Sequence, residues 1–183
     1  HAATALYSIL NYKKIISDNM FESYAKRDSV LEEHPTHNIP GVSVSTGSLG
    51  HGLSIGCGIA LGFKIKKLKN TVYVLLSDGE CNEGSVWEAL LFASSNKLNN
   101  LIVIVDYNKW QATGKTKDIL NLGNLKKKFQ TFGFNSSDVN GHNFHQIIKK
   151  LKNKSLNKPL AIIAHTIKGK GVSFMEDNNN WHY

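Results

Sequence analysis

Asp78 and Asn108 are the residues from which a chemistry can be built. Asp78 follows a β-branched and aliphatic run at residues 71–76, and Asn108 follows a second apolar run at 101–105. Each run is short and bounded by turn residues, as expected of a parallel strand buried on both faces. Between them Ser85-Val86-Trp87-Glu88 has the form of a capping box, with Ser85 at the N-cap and Glu88 at N3. It opens a helix that carries Trp87, Leu90, Leu91 and Ala93 and ends near Asn96. Strand, helix and strand of these lengths predict a right-handed crossover joining two parallel strands. Asp78 and Asn108 then emerge side by side at the carboxyl edge, where open α/β sheets bind ligands. A carboxylate and an amide oxygen are hard ligands; with a backbone carbonyl and phosphate oxygens they suit Mg²⁺ or Ca²⁺, not zinc. Gly79 lets backbone approach a ligand closely. Either residue alone is an ordinary turn former; the pair, with the crossover between, points to a site.

These residues resemble the thiamine-diphosphate motif, Gly-Asp-Gly followed after a gap by Asn. Here Ser77 stands for the first glycine, Asp78-Gly79 for the rest, and 28 residues (80–107) precede Asn108. The intervening SDGECNEGSVWEA and KLNNLIVIVDYN are similar to the N-terminal half of a transketolase, and the similarity runs over nearly the whole chain. It implies that Ser77, Asp78, Gly79, Glu80 and Asn108 bind thiamine diphosphate. Asp78, Asn108 and the main-chain oxygen of Trp110 would hold Mg²⁺ (or Ca²⁺).

The elements around this centre can be read in order. Residues 2–20 have apolar side chains at helical spacing, giving one helix and a break. Residues 34–52, HPTHNIPGVSVSTGSLGHG, hold two of the three prolines and read as an ordered loop of the kind that carries function. The transketolase pattern is present here as His34-Pro35, Pro40-Gly41-Val42 and Thr46-Gly47-Ser48-Leu49-Gly50-His51-Gly52. By resemblance His34 hydrogen-bonds the donor ketose, and Gly47, Ser48 and Leu49 lie against the thiazolium and pyrimidine. The match of HAATALYSIL implies that His1 reaches cofactor and substrate. A rival reading takes 42–44 as a short strand and TGSLGHG as a dinucleotide phosphate loop. Its glycines run G-x-x-G-x-G, however, which departs from the nicotinamide fingerprint.

A helix from 49 to about 69 repeats small residues, Gly50, Ser54, Gly58 and Gly62, with Gly52, Gly56 and Ala60 beside them. Glycine costs roughly 1 kcal/mol per helical site against alanine, so close approach is expected, either to the chain's own sheet or across a two-fold interface. Residues 111–118 read as polar loop, 120–132 as helix, 134–139 as a weak strand, 143–152 as helix and 159–165 as strand. His142 and His145 read as surface residues. Glu83 and Glu88 correspond to glutamates that relay protons between the two active sites of transketolase dimers. The tail KGKGVSFME…WH implies that His182 sits near the diphosphate and aminopyrimidine, while Lys168 and Lys170 add positive potential.

At 183 residues and 41% hydrophobic, the chain is expected to form one domain over residues 1–183 with a sizeable core. The class is α/β: three layers, α/β/α, around a mainly parallel sheet, the thiamine-diphosphate-binding fold. Two cysteines, Cys57 and Cys81, offer no disulfide framework or metal spacing, which fits a cytoplasmic protein. No apolar run has the length of a membrane span. The net charge of +8 is carried by lysine clusters at 64–69, 126–128 and 149–154 on predicted helices, without interleaved stacking aromatics, so a nucleic-acid partner is not indicated. The chain starts at His1, without Met and inside a helical pattern, as a piece trimmed at its N-terminus would.

The resemblance implies transfer of a two-carbon ketol unit from a ketose phosphate to an aldose phosphate. It also implies a partner, a C-terminal transketolase subunit with the pyrimidine-binding and C-terminal domains, in a homodimer or heterotetramer. The alternatives are another thiamine-diphosphate enzyme, of the deoxyxylulose phosphate synthase or 2-oxoacid dehydrogenase α-chain type, and a non-catalytic or NAD(P)-binding domain.

Overall fold

A computed structural model describes residues 2–153 and 155–182. The chain divides into two compact units, His1–Leu49 and Gly50–Tyr183.

In the first unit, helix α1 (Ala3–Tyr12) and the short α2 (Asp18–Glu22) precede an irregular segment. Ser17 caps α2 by accepting from the Met20 N–H. The apolar spacing of α1 puts Ala3, Tyr7 and Leu10 on one face, where they pack with Ile16, Leu31 and Ile39. Tyr7 is fully buried, and its hydroxyl donates to the Glu32 carbonyl at 2.8 Å, so its polar end is satisfied. Residues 42–44, read above as a short strand, form none: the Val42 N–H closes a turn on the Ile39 carbonyl. The dinucleotide-loop reading thereby loses the strand it needs.

The second unit is built on four parallel strands in the order β1–β2–β4–β3, namely β1 (Val72–Ser77), β2 (Leu101–Tyr107), β3 (Asn135–Asn140) and β4 (Leu160–His165). Helices α3 (His51–Ile65), α4 (Gly84–Ser95) and α6 (Leu125–Thr131) cover one face, meeting Val74, Leu76, Val103, Val105, Ala161 and Ile163. Helix α7 (Phe144–Leu151) covers the other over β3 and β4, meeting Ile102, Ile162 and Ala164. The chain steps from β1 to β2 in one direction and from β3 back to β4 in the other. Right-handed crossovers then require the two connecting helices, α4 and α7, to lie on opposite faces.

Three expectations are corrected. β1 is an edge strand and is not buried on both faces: Leu76 is 1% exposed but Leu75 66% and Tyr73 57%. Its outward residues are apolar too, which is why the run reads as doubly buried. The capping box is absent. The N-cap of α4 is Glu83, without a side-chain cap, and Ser85 instead donates to the Gly50 carbonyl at 3.0 Å. The helix expected at 120–132 is the shorter α6 alone, which starts only after Gly123 takes φ +59 and Asn124 caps it by accepting from Lys127 N–H, and a single turn, α5 (Thr116–Ile119), forms at the end of the stretch read as polar loop.

The glycine row of α3 is split. A Cβ on Gly56 would lie 2.4 Å from Val74, so this glycine serves contact with the sheet, whereas Gly52, Gly58 and Gly62 face open space. Gly50, the N-cap of α3, has φ +83, and a Cβ there would lie 2.4 Å from the Ser85 hydroxyl. Its N–H donates to Glu80 Oε1 at 2.9 Å.

Candidate functional site

The strand ends determine the site. β1 and β2 run in parallel register with Ser77 opposite Asp106, and the Asp78 N–H donates to the Asp106 carbonyl. Asp78 and Asn108 therefore stand just beyond one rung at the carboxyl edge of neighbouring strands.

Asp78 is fully buried. Its Oδ2 accepts from the Thr116 hydroxyl at 2.7 Å, while Oδ1 is buried with no hydrogen-bond partner. Burial pushes its carboxyl above the usual range, opposed by the bond from Thr116. A buried, unpaired carboxylate oxygen is costly unless a cation or proton meets it. Among the described residues no three histidine, cysteine or carboxylate side chains gather as a metal cluster. A cation here would draw on Asp78, an amide and carbonyls, the donor set of a hard divalent ion.

Asn108 opens a tight loop. Its Oδ1 accepts from the Trp110 N–H at 2.9 Å, which leaves a second lone pair. Lys109 between them is held at φ +72, a conformation that costs a non-glycine residue about 1 kcal/mol. The surrounding bonds over-determine it: Trp110 bridges Lys115, Gln111 N–H donates to Gly114, and Thr116 N–H donates to Lys109. Gln111 packs against Gly79, where a Cβ would come within 3.1 Å of its Cγ, and its Nε2 is buried without a partner.

The tail folds onto this loop. The Trp110 indole donates to Asp177 Oδ1 at 2.7 Å, and Asn179 Nδ2 donates to the Ala112 carbonyl at 2.9 Å. Lys168 Nζ lies 3.3 Å from His182 Nδ1, within reach to donate to the tautomer that leaves this nitrogen an acceptor. Burial, and then the Lys168 ammonium, hold His182 below the usual imidazole range. Tyr107, Asn108, Thr116, Thr166 and Asp177 line a cleft of about 650 Å³, and Lys168 shares a neighbouring one of about 390 Å³ with Asn108 and Asp106. The Thr166 hydroxyl donates to the Asp106 carboxylate, fastening β4 to β2 beneath these clefts.

The other expected site residues are placed as follows. Ser77 Oγ accepts from the Glu80 N–H at 3.0 Å and starts the 3-10 turn Gly79–Asn82. The Glu80 carboxylate binds Gly50, and Glu83 is exposed at the head of α4. In the first unit the His34 ring packs on Gly47, whose φ is +149 and whose Cβ would lie 2.1 Å from His34 Cδ2; Ser48 and Leu49 follow. His1 lies outside the described residues. The sequence reading missed Thr116, which looks like any threonine in a polar loop until the fold buries it. It also missed Asp177. His142, read as a surface residue, is exposed, and its Nε2 accepts from the Ile167 N–H at 2.8 Å.

Comparison with known proteins bears on the family and the fold. Residues 1–183 match the family described as transketolase, thiamine diphosphate binding domain. The chain is 39% identical to one subunit of the apulose-4-phosphate transketolase of Phocaeicola vulgatus, over all of this chain and 66% of that protein. It is 36% identical to a 6-deoxy-6-sulfo-D-fructose transketolase subunit of a Clostridium species, over 96% of this chain and 65% of that one. It thus spans just under two thirds of these relatives. The fold superposes on the crystal structure of transketolase from Campylobacter jejuni with a TM-score of 0.93 at 31% identity, covering 98% of this chain and 30% of that one. The parallel sheet is that of a thiamine-diphosphate-binding domain, and the chain belongs to the transketolase family.

Proposed function

We propose that this chain is the diphosphate-binding part of a split transketolase. It would hold thiamine diphosphate through Mg²⁺ (or Ca²⁺) for transfer of a two-carbon ketol unit from a ketose phosphate to an aldose phosphate. The observation that carries the reading is Asp78 Oδ1, buried and unpaired beside the Asn108 loop at the ends of adjacent parallel strands. Asp78, Asn108 and the Trp110 carbonyl would hold the cation, with Ser77, Gly79 and Glu80 forming the turn beneath. When bound, the cofactor supplies the carbanion chemistry that breaks and makes carbon–carbon bonds next to a carbonyl. Lys168 and His182 add positive potential and a proton donor for the diphosphate end. His34, braced on Gly47, would orient substrate hydroxyls, as would His1, and Gly47, Ser48 and Leu49 would lie along the cofactor rings.

Catalysis would need a partner subunit with the pyrimidine-binding domain, in keeping with relatives named as subunits. Ile55, Ile59, Leu91 and Phe92 are exposed around the open Gly58 on α3 and α4, a surface suited to assembly as a homodimer or heterotetramer. Glu83, at the head of α4, would relay protons between sites there. The reading is tested by calorimetry of the chain with thiamine diphosphate, with and without Mg²⁺, against NAD⁺ and NADP⁺. Magnesium-dependent binding of thiamine diphosphate supports it; binding of a nicotinamide cofactor in its place contradicts it.

A further inference from the structure

The two oxygens of Asp78 are not equivalent, and the difference is made by Thr116. Both residues are buried, Asp78 at 0% and Thr116 at 3% exposure. The hydroxyl has a single proton, and that proton is given to Asp78 Oδ2 at 2.7 Å; Oδ1 has no partner. Rotation about the Cβ–Cγ bond of an aspartate is otherwise broad and roughly two-fold. The bond from Thr116 removes that freedom, occupies one lone pair of Oδ2 and leaves Oδ1 as the oxygen without a hydrogen-bond partner.

Thr116 is itself anchored at the foot of the Asn108 loop. Its N–H donates to the Lys109 carbonyl at 2.9 Å, and its own carbonyl accepts from Leu120 N–H at 3.1 Å as α5 begins. Its branched Cβ restricts χ1, so little rotameric freedom is left to the hydroxyl. The same residue thus closes the loop that carries Asn108 and Trp110 and clamps the carboxylate that ends β1. One residue, by its hydroxyl and its backbone N–H, ties together groups from β1 and from the loop after β2, which are 30 positions apart at Asp78 and Asn108.

We infer that Thr116 is a positioning residue for the divalent-cation site. It holds the Asp78 carboxylate with Oδ1 presented and fixes the Asn108 loop against it. The inference rests on the reading of Asp78 and Asn108 as cation ligands.

The experiment is a titration of Mg²⁺ into the whole chain in excess thiamine diphosphate, followed by heat, with metal-free melting as the check of folding. Groups that orient a metal ligand typically contribute 10- to 100-fold in metal affinity. Thr116→Val, which keeps the shape and loses the hydroxyl, is expected to weaken Mg²⁺ binding by at least roughly tenfold. Thr116→Ser, which restores the hydroxyl, is expected to stay within about threefold of wild type, a rescue that a purely packing role would not give. Thr116→Ala takes the place of valine in the same titration if valine prevents a cooperative melt. Wild-type affinity without the hydroxyl, or equal loss in the serine variant, overturns the role of Thr116 and leaves the cation site standing. A wild-type chain that binds no Mg²⁺ with thiamine diphosphate overturns both.

Discussion

Ser77 and Asp106 are partners in the parallel ladder between the first two strands, which sets Asp78 and Asn108 beyond the same rung. The pairing is enforced by apolar side chains on the packed face: Val74, Leu76, Val103 and Val105 all join one core. A slip by one residue would turn those side chains to the opposite face, so the alignment of the two ligand candidates is as secure as the core.

Gly50 is where three chain segments meet, with φ +83 and both its N–H and its carbonyl bonded. Gly50→Ala adds a strained conformation to a clash with Ser85. The expected loss is about 2 kcal/mol, read as a lowered denaturant midpoint with unchanged slope. Gly58→Ala, on the same helix but facing open space, is expected to leave the isolated chain as stable or more so.

His182 supplies a pH signature. Its imidazole is held below 6.5 by burial and then by Lys168, so the folded chain resists protonation. Its contribution to stability is present above 6.5 and is lost as pH falls through the lowered value. An anionic diphosphate beside it favours the protonated ring, so binding should take up protons as the pH is lowered toward the depressed value of the free chain. Calorimetry in buffers of different ionisation enthalpy should show more proton uptake for wild type than for His182→Gln. Equal uptake would place the diphosphate away from His182.

Asp177 holds Trp110 from the tail, in an exposed setting. Asp177→Ala should change Trp110 fluorescence and weaken Mg²⁺ binding only a few-fold, because solvent-exposed polar pairs contribute about 1 kcal/mol or less. A loss as large as that expected for Asp78 variants would mean that the tail clasp, not the strand ends, holds the loop.

Turnover of sugar phosphates is expected only when the chain is joined to a subunit with the pyrimidine-binding domain. In the assembled protein Glu83→Ala should lower the rate while assembly persists, measured by coupled assay and sedimentation. Full activity with intact assembly would remove the relay role of Glu83.

Much of this site could be read before any coordinates. The runs ending at Asp78 and Asn108 are strands because short apolar segments bounded by Asp, Asn and Gly have few other uses in a chain of this composition. What the sequence hides is tertiary choice. Ser85 has the spacing of a cap, yet its hydroxyl finds the Gly50 carbonyl, 35 residues away, a better partner than its own helix. Tyr73 and Leu75 are apolar but exposed, and composition does not distinguish a face covered by this chain from one that is not. Thr116 sits among polar loop residues, and only the fold buries it against Asp78.

The most direct test is the affinity of the chain for thiamine diphosphate, with Mg²⁺ and with chelator, in wild type and Asp78→Ala. The account predicts that Mg²⁺ tightens binding to wild type by at least roughly tenfold, and that the alanine variant folds but gains nothing from the metal. A variant that keeps its magnesium-dependent affinity would contradict the claim that Asp78 and Asn108 hold the cation.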